Sequence, residues 1–204
     1  MDNVQMRFGK EGKKLLGTYI AAMLEADPTL TPRRISDILF LVEEENIKTC
    51  SEPFIGLPFQ LWKDGPVQVD VYMDLSGETV LTDGIVVRRR GMFRRGGLAV
   101  SDKERAQVYP GEVRILQDAV RKYGALSDTE MHEILCGESS LWRKCAAQEG
   151  ILQSFEENKI VTSTAYVDFA ALLDDEDDID CYLIGLGHAY EIMSDELEVL
   201  ENIK

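Results

Sequence analysis

Apolar residues recur at helical spacing along most of the chain, and this periodicity predicts a mainly helical fold. A first amphipathic helix is predicted over residues 10–26, where Asp27-Pro28 supplies a turn. Thr31 and Pro32 predict the N-cap and first residue of a second helix, which continues to about Asn46. The segment 48–59 carries two prolines and a glycine and is predicted to be an extended connection.

The middle of the chain contains β-prone stretches. Residues 79–87 and 98–100 flank a glycine- and arginine-rich segment and predict a hairpin, which is the only clear β element of the pattern. Before it, Pro66 is predicted to begin a helix running to Leu75, although the alternation of valines over residues 67–71 also suits a strand.

Helical spacing returns in the second half. A stripe over residues 113–123 ends at Gly124, Ser127 is predicted to cap a short helix, and Trp142 lies on the next one. Residues 160–162 predict a short extended piece and residues 166–173 a further helix. The fold class is therefore predicted to be mainly α, a compact helical domain with a small β-hairpin insertion and a C-terminal helix.

The acidic run at residues 174–178 is predicted to be a solvated linker, because adjacent like charges repel and are costly to bury. It divides the chain into a domain at 1–172 and an appendage at 173–204. The appendage has a narrow apolar seam on an otherwise acidic helix, formed by Leu183, Leu186, Tyr190, Met193, Leu197 and Leu200. Four of these, Leu186, Tyr190, Met193 and Leu197, are candidate partner-binding residues, either for another protein or for a second copy in a homodimer.

Composition limits the cellular locations and the classes of partner that suit this chain. The 204 residues are 45% hydrophobic, enough for one sizeable core, and the formal charge is -15. This charge, from 37 acidic and 22 basic residues, disfavours general attraction to nucleic acid or to an anionic membrane. Most of it is concentrated in residues 160–204, which hold twelve acidic residues and one basic residue. The four scattered cysteines fit reduced thiols, and no leader or membrane-spanning run is apparent, which favours the cytoplasm.

Several ordered motifs resemble one known family. Residues 61–67 read LWKDGPV and Val71-Tyr72 follows, a W-x-x-GPV-x-x-x-VY signature; YGALS at 123–127 and SLWR at 140–143 come later, and Phe169 occupies the place of a late aromatic. In this order, over residues 33–172, they resemble the SocA-like Panacea antitoxin domain of the phage-associated type. A threonine-histidine pair of that family is replaced here by Cys136 and Gly137.

The resemblance implies a helical domain that neutralises a toxin encoded nearby by binding it, without catalytic residues or a cofactor of its own. The signature residues are predicted to be mainly architectural, with Trp62 anchoring a corner in the core. They are Trp62, Gly65, Pro66, Val67, Tyr72 and Trp142.

Catalytic chemistry has weak support in the sequence. His132 and Cys136 have the helical spacing of a metal or thiol pair, but with Cys145 they give only three candidate ligands and no CxxC motif. The acidic run lacks the spaced oxygens and glycine of a calcium loop. No metal site and no catalytic residue is predicted, and a thiol or metal enzyme is the least favoured function.

The arginine-rich hairpin tip leaves three interpretations open: a solvated tip, a docking site for the acidic C-terminal segment, and a contact with a toxin or with nucleic acid. The residues concerned are Arg88, Arg89, Arg90, Phe93, Arg94 and Arg95. The predicted function is non-enzymatic, antitoxin-type protein binding. A nucleic-acid-associated regulator that uses this tip is the alternative.

Overall fold

The computed structural model describes residues 8–77, 82–88, 97–101 and 105–194, and within them the chain is mainly helical with two small hairpins. This confirms the predicted fold class. The helices are α1 (Lys10–Ala26), α2 (Pro32–Cys50), α3 (Val69–Leu75), α4 (Pro110–Tyr123), α5 (Asp128–Cys136), α6 (Leu141–Gln148), α7 (Leu152–Glu156) and α8 (Glu176–Met193), with a 3-10 helix at Phe169–Leu172. The antiparallel strand pairs are β1 (Gln60–Trp62) with β2 (Gly65–Val67) and β3 (Ile85–Arg88) with β4 (Gly97–Val100). No helix in these ranges is long and apolar enough to cross a membrane.

Helix starts were predicted well where a side-chain cap defines them. The Thr31 hydroxyl accepts the N–H of Arg34 at 3.1 Å, and Pro32 is the first residue of α2, as predicted. Ser127 caps α5 in the same way by accepting the N–H of Glu130. Helix α2 ends at Cys50, one turn beyond the predicted end at Asn46.

The core is built around α2, which packs against α3, α4, β2 and the 3-10 helix. Three phenylalanine rings at its centre, Phe40, Phe59 and Phe169, have centroids 5.3 to 6.1 Å apart in tilted and edge-to-face arrangements. Aromatic contacts of this kind tie α2 to the connection before β1 and to the 3-10 helix.

Two predictions about the middle of the chain are wrong. Pro66 does not begin a helix but lies in β2, so the arginine-rich hairpin is not the only β element. Its strand partner Leu61 donates its N–H outward to Ala165 O at 2.8 Å, so the missing N–H of proline breaks no hydrogen bond of the hairpin. Helix α3 begins at Val69, where Gln68 caps it by accepting the N–H of Val71 at 2.7 Å.

Three residues of the acidic run, Glu176 to Asp178, are helical and not extended. Helix α8 begins at Glu176, and the Asp175 carboxylate caps it by accepting the N–H of Asp177 at 2.9 Å. Acidic side chains in a first helical turn are favoured by the helix dipole, which offsets their mutual repulsion. Just before it, residues 169–172 form a 3-10 turn in place of the predicted longer helix.

Helix α8 packs on the body along a face shifted from the predicted seam. Tyr182 and Met193 are buried in the core, and Leu186 and Tyr190 pack half-buried against it, whereas Leu183 is 53% exposed. The predicted seam residues Leu197 and Leu200 lie outside the described residues.

The two ends of the described chain meet. The N–H of Gly9 donates to Met193 O at 2.7 Å, and Phe8 pairs with Ser194 in an antiparallel bridge. A Cβ on Gly12 would come within 2.5 Å of Met193 O, so only glycine lets α8 end this close to α1. The division of the chain at residue 172 stays a prediction.

One buried carboxylate holds the connection on which α8 rests. Glu43 on α2 accepts the N–H groups of Ile55 at 2.9 Å and of Gly56 at 3.0 Å. On the other side of this connection, Gly56 faces Ala189 of α8. Burial raises the pKa of Glu43 to about 7, and the backbone hydrogen bonds only partly oppose that shift.

The free energy of unfolding should therefore fall as pH rises through this pKa. Between the ordinary glutamate value of 4.5 and about 7, the folded chain binds more protons than the unfolded chain. The contribution of Glu43 to stability is therefore complete below pH 4.5 and is lost as the pH rises through about 7. Glu43→Gln removes this titration, and its stability relative to the wild type should rise by about 3 kcal/mol from pH 4.5 to 8. Urea melts across that range measure it.

The exposed neighbour Glu45 provides the control for this experiment, because Glu45→Gln removes one carboxylate from the same helix without touching the buried connection. Its melts over the same pH range show what the loss of one carboxylate from α2 does by itself. If the difference between Glu43→Gln and the wild type varies with pH no more than this control, folding does not shift the pKa of Glu43.

Candidate functional site

The signature forms a tight hairpin whose glycine is fixed by a close contact. Gly65 pairs with Trp62 across the turn and has a φ of +124°, a region that favours glycine. A Cβ at Gly65 would lie 2.8 Å from Nη2 of Arg33. Residues Gly65, Pro66 and Val67 are all buried, so this half of the signature packs beneath the surface.

Beside this hairpin is an open cleft of about 660 Å³. It is enclosed by the start of α2, the β1–β2 turn, α3, α5 and the segment at residues 161–162. Its walls combine two aromatic rings, an apolar floor and several charged groups: Arg33, Asp37, Trp62, Asp64, Tyr72, Asp128, Thr129, Met131, His132, Leu135, Val161 and Thr162.

The two tryptophans of the signature differ in burial. Trp62 is only half-buried and lines the cleft, so the prediction that it anchors the core is wrong. Its ring meets Tyr72 edge-to-face with centroids 6.0 Å apart, and its indole N–H donates to Gln60 Oε1 at 3.1 Å. Trp142 is 3% exposed and donates its indole N–H to the backbone oxygen of Trp62 at 2.9 Å. Trp142 is thus the core anchor, and it supports the strand that presents Trp62.

An ion pair forms one wall of the cleft. Arg33 donates from Nε to Asp37 Oδ1 at 2.8 Å and from Nη2 to the backbone oxygen of Asp64 at 2.7 Å. Burial raises the pKa of Asp37 to about 6, although the Arg33 guanidinium opposes the shift. Arg33 therefore joins α2 to the tip of the hairpin and partly neutralises Asp37.

Sequence reasoning missed Arg34, which positions the opposite side of the cleft. Its buried guanidinium donates to Leu126 O at 2.8 Å, to Tyr123 O at 3.2 Å and to Asp128 Oδ1 at 3.1 Å. These bonds hold the turn between α4 and α5, which is the YGALS motif. The available signal was the position of Arg34 on the helical face that it shares with the buried Ile38.

The second group of predicted partner-binding residues is separate from the cleft. Met193 is buried in the chain's own core, while Leu186 and Tyr190 pack against it. For Arg88 only the backbone, at the end of β3, is described. The side chain of Arg88 and all of Arg89, Arg90, Phe93, Arg94, Arg95 and Leu197 lie outside the described residues, and their binding roles stay predictions.

The two buried thiols, those of Cys136 and Cys145, have little nucleophilic character. Burial raises the pKa of Cys136 to about 12 and also raises the pKa of Cys145, so the reactive thiolates are disfavoured. His132 is exposed at the cleft while Cys136 is buried. In the part of the chain that the structure describes, no three His, Cys, Asp or Glu residues are grouped so that they could hold a metal ion.

Comparison with known proteins gives one match. The family model described as "Antitoxin SocA-like, Panacea domain" matches residues 38–143, just over half of the 204 residues. The match includes the hairpin signature, the YGALS turn and Trp142. No curated protein and no solved structure matches the chain.

Proposed function

The chain belongs to the SocA-like Panacea antitoxin domain family, and from that membership we propose that it neutralises a protein toxin by direct, non-enzymatic association through the cleft beside Trp62. The toxin partner, encoded near this gene, and a cytoplasmic location are parts of the same proposal. Stoichiometric occlusion requires a surface that a partner can reach, and no reacting group.

The exposure of Trp62 is the observation that carries the proposal. A large aromatic side chain left half-buried at the wall of a cleft resembles the tryptophan and tyrosine anchors that dominate protein interfaces. Tyr72 lies beside it, and Val161 at the same cleft is 59% exposed. Together they offer an apolar centre surrounded by polar groups, which is the usual composition of an interface.

Two measurements test the proposal: rescue of growth in cells, and the affinity of the purified complex. A neighbouring open reading frame whose expression arrests growth would be co-expressed with this chain, which should restore growth. Trp62→Ala should weaken the purified toxin complex about 30-fold, the effect of removing an interface anchor, and should abolish rescue. Calorimetric titration gives the affinity. It is done at a temperature where circular dichroism shows that both proteins are folded.

Ile184→Ala is the matched control, because Ile184 is an exposed apolar residue on α8, away from the cleft. Its complex should keep the wild-type affinity. A Trp62→Ala protein that binds and rescues like the wild type would exclude the cleft as the binding site. A large loss in Ile184→Ala alone would move the site to α8.

A nucleic-acid-associated regulator remains the alternative, and it depends on the arginine-rich segment. The formal charge of -15 opposes it, because phosphate binding requires a local basic surface strong enough to overcome general repulsion. Toxin binding is therefore preferred.

A further inference from the structure

We propose that the cleft receives a cationic side chain of the partner, an arginine, between the Trp62 and Tyr72 rings and the carboxylates at its rim. This inference rests on the proposed function and specifies the chemistry of the residue that the partner inserts. It follows from which groups of the cleft are already engaged within the chain and which are open to a ligand.

The main hydrogen-bond donors at the cleft already have partners within the chain. The indole N–H of Trp62 donates to Gln60, and Arg33 uses Nε for Asp37 and Nη2 for the backbone of Asp64. An anionic ligand would therefore meet an arginine whose charge is already paired with Asp37, together with hydroxyl groups and the exposed imidazole of His132. Trp62 offers its ring and not its N–H, and an aromatic ring face attracts cations.

Carboxylates exceed cations in the cleft. Asp37 is paired with Arg33, which leaves Asp64 and Asp128, both exposed, at the rim. Asp128 accepts one bond from Arg34, and within the described ranges no hydrogen bond or ion pair of the Asp64 carboxylate is found. A guanidinium carries five donors in a planar fork that suits carboxylates and stacks on aromatic rings, so arginine fits better than lysine.

The apolar floor suits the rest of such a side chain. Met131 and Leu135 are buried at the base of the cleft, where the methylene stem of an arginine can pack while its charged end reaches the rim. The protein already contains one contact of this class, since Lys122 Nζ lies 4.7 Å from the centre of the Tyr123 ring. The overall negative charge would also speed association with a basic partner surface.

Acetyl-arginine-amide and its uncharged analogue acetyl-citrulline-amide are the probes. The chain has two tryptophans, so its amide spectrum contains two indole N–H signals, and Trp62→Phe assigns them. The arginine probe should shift the Trp62 signal saturably with millimolar affinity, and by more than the signal of the buried Trp142, whose indole N–H is bonded to the backbone of Trp62. The citrulline probe should bind about tenfold more weakly, since it lacks the charge.

Two variants that each remove one negative charge complete the test. Asp64→Asn, at the exposed turn, should weaken binding of the arginine probe about threefold, whereas Glu149→Gln, an exposed acid away from the cleft, should not. Equal binding of both probes, or no saturable shift with arginine, overturns the inference.

The experiments can contradict the proposed partner site and the proposed arginine site independently of each other. If Trp62→Ala weakens the toxin complex but the probes bind equally, the cleft remains the partner site and only the cation is wrong. If the arginine probe binds as expected while the toxin complex ignores Trp62→Ala, the cation site remains and the proposed partner site is wrong.

Discussion

Trp142→Ala is expected to lower the free energy of unfolding by about 3–5 kcal/mol, the usual cost of deleting a buried aromatic side chain. Trp142 is almost completely buried and stacks on Phe155 with centroids 5.7 Å apart. The change would leave a cavity between α6 and α7 and would also remove the hydrogen bond to the backbone of Trp62. Urea melts followed by circular dichroism measure the loss.

Trp62→Ala is the matched comparison, since it deletes the same side chain from the same signature. Its side chain is only half-buried, so the expected loss is only about 1–2 kcal/mol. Equal losses at the two positions would mean that Trp62 is a core residue after all, and the case for the cleft as an interface would weaken.

Truncation after Asp174 is expected to have the second large effect. It removes α8, and with it the buried side chains of Tyr182 and Met193. At roughly 1.5–3 kcal/mol for each fully buried side chain, stability should fall by about 4 kcal/mol, a large part of the stability of an ordinary domain. The surface of α1 that meets Met193 would then face water.

A chain ending at Ser194 is the control, because it keeps α8 and its last contact with α1. Urea melts of the two truncated chains separate the contribution of the helix from that of the residues after it. If both are equally stable, α8 is a separable appendage, as the division at residue 172 predicts.

Helices were predictable wherever a side-chain cap and apolar spacing agreed. Thr31 with Pro32 and Ser127 with Glu130 define their helix starts through local hydrogen bonds, which depend on few distant contacts. The β1–β2 hairpin was not predictable in this way. Proline suits both a first helical turn and a strand edge, and the choice depends on the segment at 161–166, about a hundred residues further along the chain.

The cleft and the packing beneath α8 were harder to predict, because both depend on charged side chains that break the rule that charge is exposed. Arg34, Asp37 and Glu43 are charged but buried, and each is accommodated by hydrogen bonds to distant backbone groups or by an ion pair. Conversely, Trp62 is a large aromatic residue but is not fully buried. Patterns of hydrophobicity assign the opposite environment in each case, so the contrast between Trp62 and Trp142 requires the three-dimensional contacts.

The pairing of Phe8 with Ser194 has a practical consequence for following this protein by fluorescence. A donor dye near residue 8 and an acceptor near residue 194 would begin within a few nanometres of each other, because the backbones there are paired. In an unfolded chain of this length the same positions would be many nanometres apart on average. Energy transfer between them would thus report separation of α8 from α1 in single molecules, including partial openings that leave the rest of the helical body intact.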